Sequence, residues 1–154
     1  MLPSDPYIAS QFLQCLTGLS YVKNEQQERG MVEEFLDEAF ELSDRFPKDA
    51  SVQLQTAICV QNLIALCGSY EAPVSLAFSA ADKMEELSDR YPQDSDIQNV
   101  FAHILISALY FARQKEDHEK YRHFASLLNA LGRSRGEVLD QMAIRMHLRR
   151  IGLA

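Results

Sequence analysis

In MVEEFLDEAFELSDRF, residues 31–46, Val32, Phe35, Leu36, Ala39, Phe40 and Leu42 recur at helical spacing. Glu33, Glu34, Asp37, Glu38, Glu41 and Asp44 fill the other side. Such a segment is an amphipathic helix with one apolar stripe to bury and one acidic face for solvent. SVQLQTAICVQNLIALC (51–67) and IQNVFAHILISALYFA (97–112) differ, being apolar almost all round. A helix of that kind must be covered on several sides, so both are expected as central elements. Each is followed by an amphipathic stretch, SLAFSAADKMEELSDRY (75–91) and HEKYRHFASLLNAL (118–131). Gly and Pro are scarce within these stretches and cluster between them, and the segments they bound are too long for strands. The pattern predicts an all-α chain of about seven helices, over residues 5–23, 31–46, 50–68, 72–91, 95–114, 116–132 and 136–150. Alternation of inner and outer helices across short connections makes successive helices antiparallel neighbours. The expected units are hairpins over 5–46, 50–91 and 95–132 with a capping helix at 136–150, in one domain spanning 1–154.

The chain nearly repeats itself. ELSDRFPKDASVQ at 41–53 returns as ELSDRYPQDSDIQ at 86–98, a shift of 45 positions. In each copy an outer helix ends in an aromatic, Phe46 or Tyr91, directly before Pro47 or Pro92. Proline lacks an N–H and pushes the preceding residue out of the α region, so the helix stops there. Asp49 and Asp94 then stand where a carboxylate can cap the next inner helix. Phe46 and Tyr91 are expected to fill two equivalent buried bends.

These junctions, RFPKD at 45–49 and RYPQD at 90–94, carry a resemblance to the tetratricopeptide-like helical-repeat superfamily. Counting back from Pro92, Ala80 takes that family's small-residue position and Gly68 its glycine position. The 45-residue spacing is longer than the family's repeat of about 34 residues. The resemblance implies antiparallel hairpins stacked in a right-handed superhelix, whose inner helices line a groove for a peptide or protein. It also implies an adaptor or scaffold with no catalytic role. Small acidic chains of three hairpins are similar to tetratricopeptide chaperones of secretion substrates, which is the second reading.

Charge refines the choice of partner. The net charge of −7 is unevenly spread: residues 1–112 carry 6 Lys/Arg against 17 Asp/Glu, and residues 113–154 carry 9 against 5. An acidic body repels phosphate backbones and makes nucleic acid an unfavoured partner. The basic end leaves room for an anionic contact there, or for an accessory enzyme or nucleic-acid-binding subunit as a third reading. With no apolar run near about 20 residues, no membrane-spanning helix is expected. MLPSDPYIAS lacks the basic and apolar parts of a secretory signal, and Cys15, Cys59 and Cys67 are an odd count among apolar neighbours. Buried free thiols in the cytoplasm are the expectation.

Candidate chemistry is thin. In HEKYRH, His118 and His123 are five apart, about 140° around a helix, where a zinc pair needs i and i+4. Cys59 and Cys67 are eight apart, about 12 Å along a helix. No Gly-rich phosphate loop or nucleophile elbow is present. Neither a metal nor a cofactor is expected, and no enzyme. The groove candidates are polar and uncharged: Gln11, Gln14 and Tyr21 on the first helix, Gln55 and Asn62 on the third, and Asn99, His103, Ser107 and Tyr110 on the fifth. The last four follow a single helical face. Carboxamides can both donate to and accept from a peptide backbone, and tyrosine adds amphipathic contact area. The same residues also suit polar seams between packed helices. In the final segment Leu139, Met142, Ala143 and Met146 are expected to form one apolar stripe that covers the end of the array. With Arg145, Arg149 and Arg150 beside it, that stripe doubles as a docking surface for an acidic partner or for self-association.

Overall fold

The computed structural model describes residues 2–21, 30–68 and 72–153, and every regular element among them is helical. The seven helices are α1 (Pro6–Tyr21), α2 (Met31–Arg45), α3 (Ala50–Ile64), α4 (Val74–Arg90), α5 (Ser95–Gln114), α6 (His118–Arg135) and α7 (Gln141–Arg150). The chain divides into two compact units, Met1–Ala80 and Ala81–Ala154.

In the first unit α3 is the central element and packs against both α1 and α2. Its all-round apolar character is used: Val52, Ala57, Cys59, Val60, Leu63 and Ile64 are fully buried. The stripe that α2 buries is narrower than expected. Val32, Leu36, Ala39, Leu42 and Ser43 point inward, and Phe35 and Phe40 are half-buried at its edges. In the second unit α5 is central, packing against α6 and α7. Ile97, Ala102, Ile104, Leu105, Ile106, Ala108 and Ala112 on α5 are fully buried, as is Phe124 on α6.

The repeated junction folds twice in the same way, though not around its aromatic rings. Asp49 accepts from Val52 N at 2.9 Å and Asp94 from Ile97 N at 3.0 Å, the caps expected from sequence. Phe46 and Tyr91 are only half-buried, which corrects the expectation of buried bends. The buried pair is a serine and a glutamine. Ser43 Oγ donates to Gln53 Oε1 at 2.6 Å, and Gln53 Nε2 donates to the carbonyls of Ser43 and Phe46, both at 2.9 Å. Ser88 and Gln98 repeat this: the hydroxyl bond is 2.9 Å, and the amide reaches Ser88 O at 2.9 Å and Tyr91 O at 2.8 Å. Both glutamines are 0% exposed, so the carboxamide ties the last turn of one helix to the first turn of the next without water. In the second unit Arg135 joins the pair, donating to Ser88 Oγ, to Gln98 Oε1 at 2.9 Å and to Asp89 Oδ1 at 2.6 Å.

Three boundaries differ from the sequence pattern. After Ile64 the chain turns through residues 65–68, with Gly68 at φ 81° and its N–H on Ala72 O at 2.8 Å. At Gly132 the helix does not stop: an exposed glycine is tolerated inside a helix for about 1 kcal/mol, and α6 continues to Arg135. The effective start signal for α7 is Asp140, whose carboxylate accepts from Ala143 N at 2.9 Å.

Replacing Gln98 by alanine removes one partner from each of two carbonyls and one from a hydroxyl in a dry corner. The expected cost is about 2–4 kcal/mol, from unmet polar groups plus a cavity. Urea unfolding of the variant beside wild type checks it; a loss of no more than about 0.5 kcal/mol, as at an ordinary surface site, would refute the clasp.

Candidate functional site

The sequence nominated two groups of residues, and the structure treats them differently. On α1, Gln11 and Gln14 are exposed, and Tyr21 closes the helix with its side chain outside the described part. Gln55 and Asn62 on α3 are half-buried, Asn62 donating to Ile58 O one turn back at 2.8 Å.

On α5 the first two polar positions are engaged inside the second unit. Asn99 Nδ2 donates to Ser95 O at 2.7 Å and Val138 O at 3.0 Å, and its Oδ1 accepts from Asp140 N at 2.7 Å. One carboxamide therefore holds both sides of the loop that leads into α7. One turn further on, His103 meets His147 of α7: the Nδ1 atoms are 2.7 Å apart and the rings stack with centroids 4.9 Å apart. For that bond one ring must carry its proton on Nδ1 and the other on Nε2. Ser107 Oγ returns to His103 O at 3.1 Å, and Tyr110 packs edge-on to Phe111 with centroids 5.6 Å apart. Asn99 and His103 thus form a polar seat for α7.

α7 lies on that seat in a different phase from the expected one. Leu139 precedes the helix and is buried, and Ile144 is the residue α7 turns inward, at 7% exposure. Met142 is 74% exposed and Met146 63%, so the methionines do not share a covered stripe with Leu139. Starting the helix at Gln141 sets this phase, placing Ile144 and His147 below and Met142, Arg145, Met146 and Arg149 above. The upper four follow i, i+3, i+4 and i+7, one helical face. All four are exposed, as is Arg150.

The seat constrains proton chemistry. Burial lowers the pKa of His103, with Arg150 acting the same way and Asp140 opposing. His147 is lowered to about 4, by burial first, then by His103 and Arg150. The thiols of Cys59 and Cys67 are each pushed up to about 11 by burial, which leaves them protonated and unreactive at neutral pH. Cys15, expected to be buried, is exposed.

His123 Nε2 lies 2.7 Å from Asp82 Oδ1, and His118 lines a separate cavity of about 360 Å³ with Arg113, Asp117 and Tyr121. Arg113 in that cavity already donates to Gly152 O at 2.6 Å. Among the described residues no three His, Cys, Asp or Glu side chains are grouped to hold a metal, and no helix is long and apolar enough to cross a membrane. No family model, curated protein or solved structure matches the chain.

Two measurements follow from the seat. Asn99→Ala should cost about 1–3 kcal/mol in urea unfolding, since Val138 O and Asp140 N lose their partner. A change below about 0.5 kcal/mol would mean that this side chain serves solvent instead. The second measurement concerns acid. The unfolded imidazole titrates near 6.5 and the folded His147 near 4, so between these values the unfolded chain binds more protons. Stability is full above about pH 7 and falls as pH drops through that window, with His103 adding in the same direction. NMR titration of the ring carbons should place His147 well below the free-histidine value in wild type. An ordinary midpoint near 6.5 would show that the pair is open.

Proposed function

We propose that this chain is a non-catalytic protein-interaction module of tetratricopeptide-like design, and that it takes an acidic, amphipathic protein segment on the outer face of α7. The observation that carries the reading is the exposure of Met142 and Met146, at 74% and 63%, on a helix fastened from beneath. Met is adaptable and polarizable, and it fits a partner's apolar ridge at little cost. Arg145 and Arg149 flank the pair on the same face, where they can form bidentate contacts with carboxylates. Neutral contact in the middle and cationic contact beside it favour a helix with apolar residues at i and i+4 and acids on its flanks.

A second reading keeps the uncharged side chains of α1. PYIASQFLQCLTGLSY holds no charged residue, yet Tyr7 is 72% and Ile8 56% exposed, with Gln11 and Gln14 also at the surface. An extended segment could use these carboxamides as the resemblance implies.

A fluorescent helical peptide with leucines at i and i+4 and glutamates beside them distinguishes these. Wild type should bind it, and a peptide with lysine in place of glutamate should not bind. Met142→Ser and Met146→Ser should each weaken binding by more than about 1 kcal/mol while changing stability by less than about 0.5 kcal/mol. Binding lost instead in Tyr7→Ala and Gln11→Ala would favour α1. Equal binding of both peptides would remove the acidic partner.

A further inference from the structure

We propose that the partner of α7 is a second copy of this chain, and that the surface receiving it is the outer face of α2. The inference rests on the reading of α7 given above and names the occupant of that surface.

One and the same sequence carries both signs of charge on separate helices. α7 holds Arg145, Arg149 and Arg150 and no acidic side chain. α2 holds Glu33, Glu34, Asp37, Glu41 and Asp44, all exposed, against the single cation Arg45. That cation is committed: Arg45 pairs with Glu41 at 2.8 Å and donates to the carbonyls of Leu2 and Pro3. Glu33, Glu34, Asp37 and Asp44 have no ion-pair partner among the described residues. The pKa of Glu38 on the same helix is raised, by burial first and then by Glu34 and Glu41, so α2 repels further negative charge. An arriving guanidinium relieves that repulsion.

The two faces also match in stride. Glu33, Asp37, Glu41 and Asp44 follow i, i+4, i+8 and i+11 along α2, as Arg145 and Arg149 or Met142 and Met146 follow i and i+4 along α7. Rows of i±4 residues on two helices interdigitate, the commonest packing between helices in globular proteins. Phe35 is half-buried at the margin of the acidic face, where a methionine thioether can meet the ring edge. Among the described residues the α7 face stays open, since Met142 and Met146 are exposed.

The patches are different surfaces, so the contact is heterologous: α7 of one copy against α2 of the next. A single helix on a single helix falls at the transient end of interfaces, below about 1,200 Å² of buried area. Association should therefore be weak, fast and sensitive to salt, because exposed ion pairs are screened within about 10 Å at 0.1 M.

Sedimentation equilibrium of the full chain at low salt tests this. Wild type should exceed its 17.5 kDa monomer mass increasingly with concentration, and return toward it as salt rises. Arg145→Glu with Arg149→Glu should weaken association by about tenfold or more, as should Glu33→Lys with Glu34→Lys and Asp37→Lys. Mixing the two charge-reversed variants should restore it, because each then offers the other a matching face. Circular dichroism on both variants separates lost contact from lost fold, and restoration on mixing does so independently. A wild type that stays at monomer mass into the high micromolar range at low salt overturns the proposal, as does association that survives both reversals. If the chain is monomeric but α7 still binds the glutamate peptide described above, the second copy is excluded and the acidic-partner reading stands. If the peptide is not bound either, both fall.

Discussion

A carboxamide sealed from water must find protein partners for its oxygen and its amide protons, and the two junctions of this chain are built around meeting that demand. Gln53 and Gln98 are each 0% exposed, and each bonds a serine hydroxyl, that serine's own carbonyl and the carbonyl of the aromatic that ends the helix. The carbonyls at a helix end lack intrahelical partners, so a side chain from the following helix supplies them. Moving either helix weakens several of these bonds at once. The serine and glutamine therefore help to set the angle between outer and inner helix, alongside apolar packing. Pro47 and Pro92 stop the helices, and Asp49 and Asp94 restart them.

Once α5 is fixed at its beginning by the second clasp, the rest of its polar face is in place to receive α7. Asn99 is one residue beyond Gln98, and His103 follows one turn later. Arg135 ties the end of α6 to the same clasp, just before the loop that Asn99 grips. The clasp, the loop and the seat of α7 thus form one connected set of hydrogen bonds. Damage to Gln98 should be felt at α7, although the two do not need to touch.

Much of this was legible in the chain. Helix positions followed from apolar periodicity and from Pro and Gly punctuation, and the central roles of α3 and α5 followed from their lack of a polar face. The Asp caps were readable because Asp ahead of an apolar run has one common use. The clasp was printed twice as Ser and Gln at matching positions of the repeat. Sequence alone does not reveal it, because polar residues normally face solvent and only three-dimensional closure shows a glutamine going inward. The phase of α7 departs from the apolar pattern for a related reason. Leu139, Met142, Ala143 and Met146 make an acceptable stripe, but Asp140 caps the helix and excludes Leu139 from it. His147 gave no sign of its partner 44 positions earlier, since periodicity records neighbours along a helix and is silent about contacts between helices. The polar seam and the polar groove use the same side chains, so sequence could nominate Asn99 and His103 but could not say what would meet them.

The weakness of α7 on its own explains why its lower face is so fully tied. At ten residues it is shorter than the roughly 12–15 at which isolated helices become even marginal in water. Its upper face adds little burial, because two methionines and two arginines are held out in solvent. Helical order in this segment must therefore come from Ile144, the histidine pair and the Asn99 grip on Asp140. A partner that needs a preformed helix gains from that arrangement, because ordering entropy is already met by the fold and need not be drawn from the contact. The same dependence makes α7 an extension of α5 in energetic terms. Whatever the exposed methionines bind, they bind through a surface whose existence is decided on the opposite side of the helix.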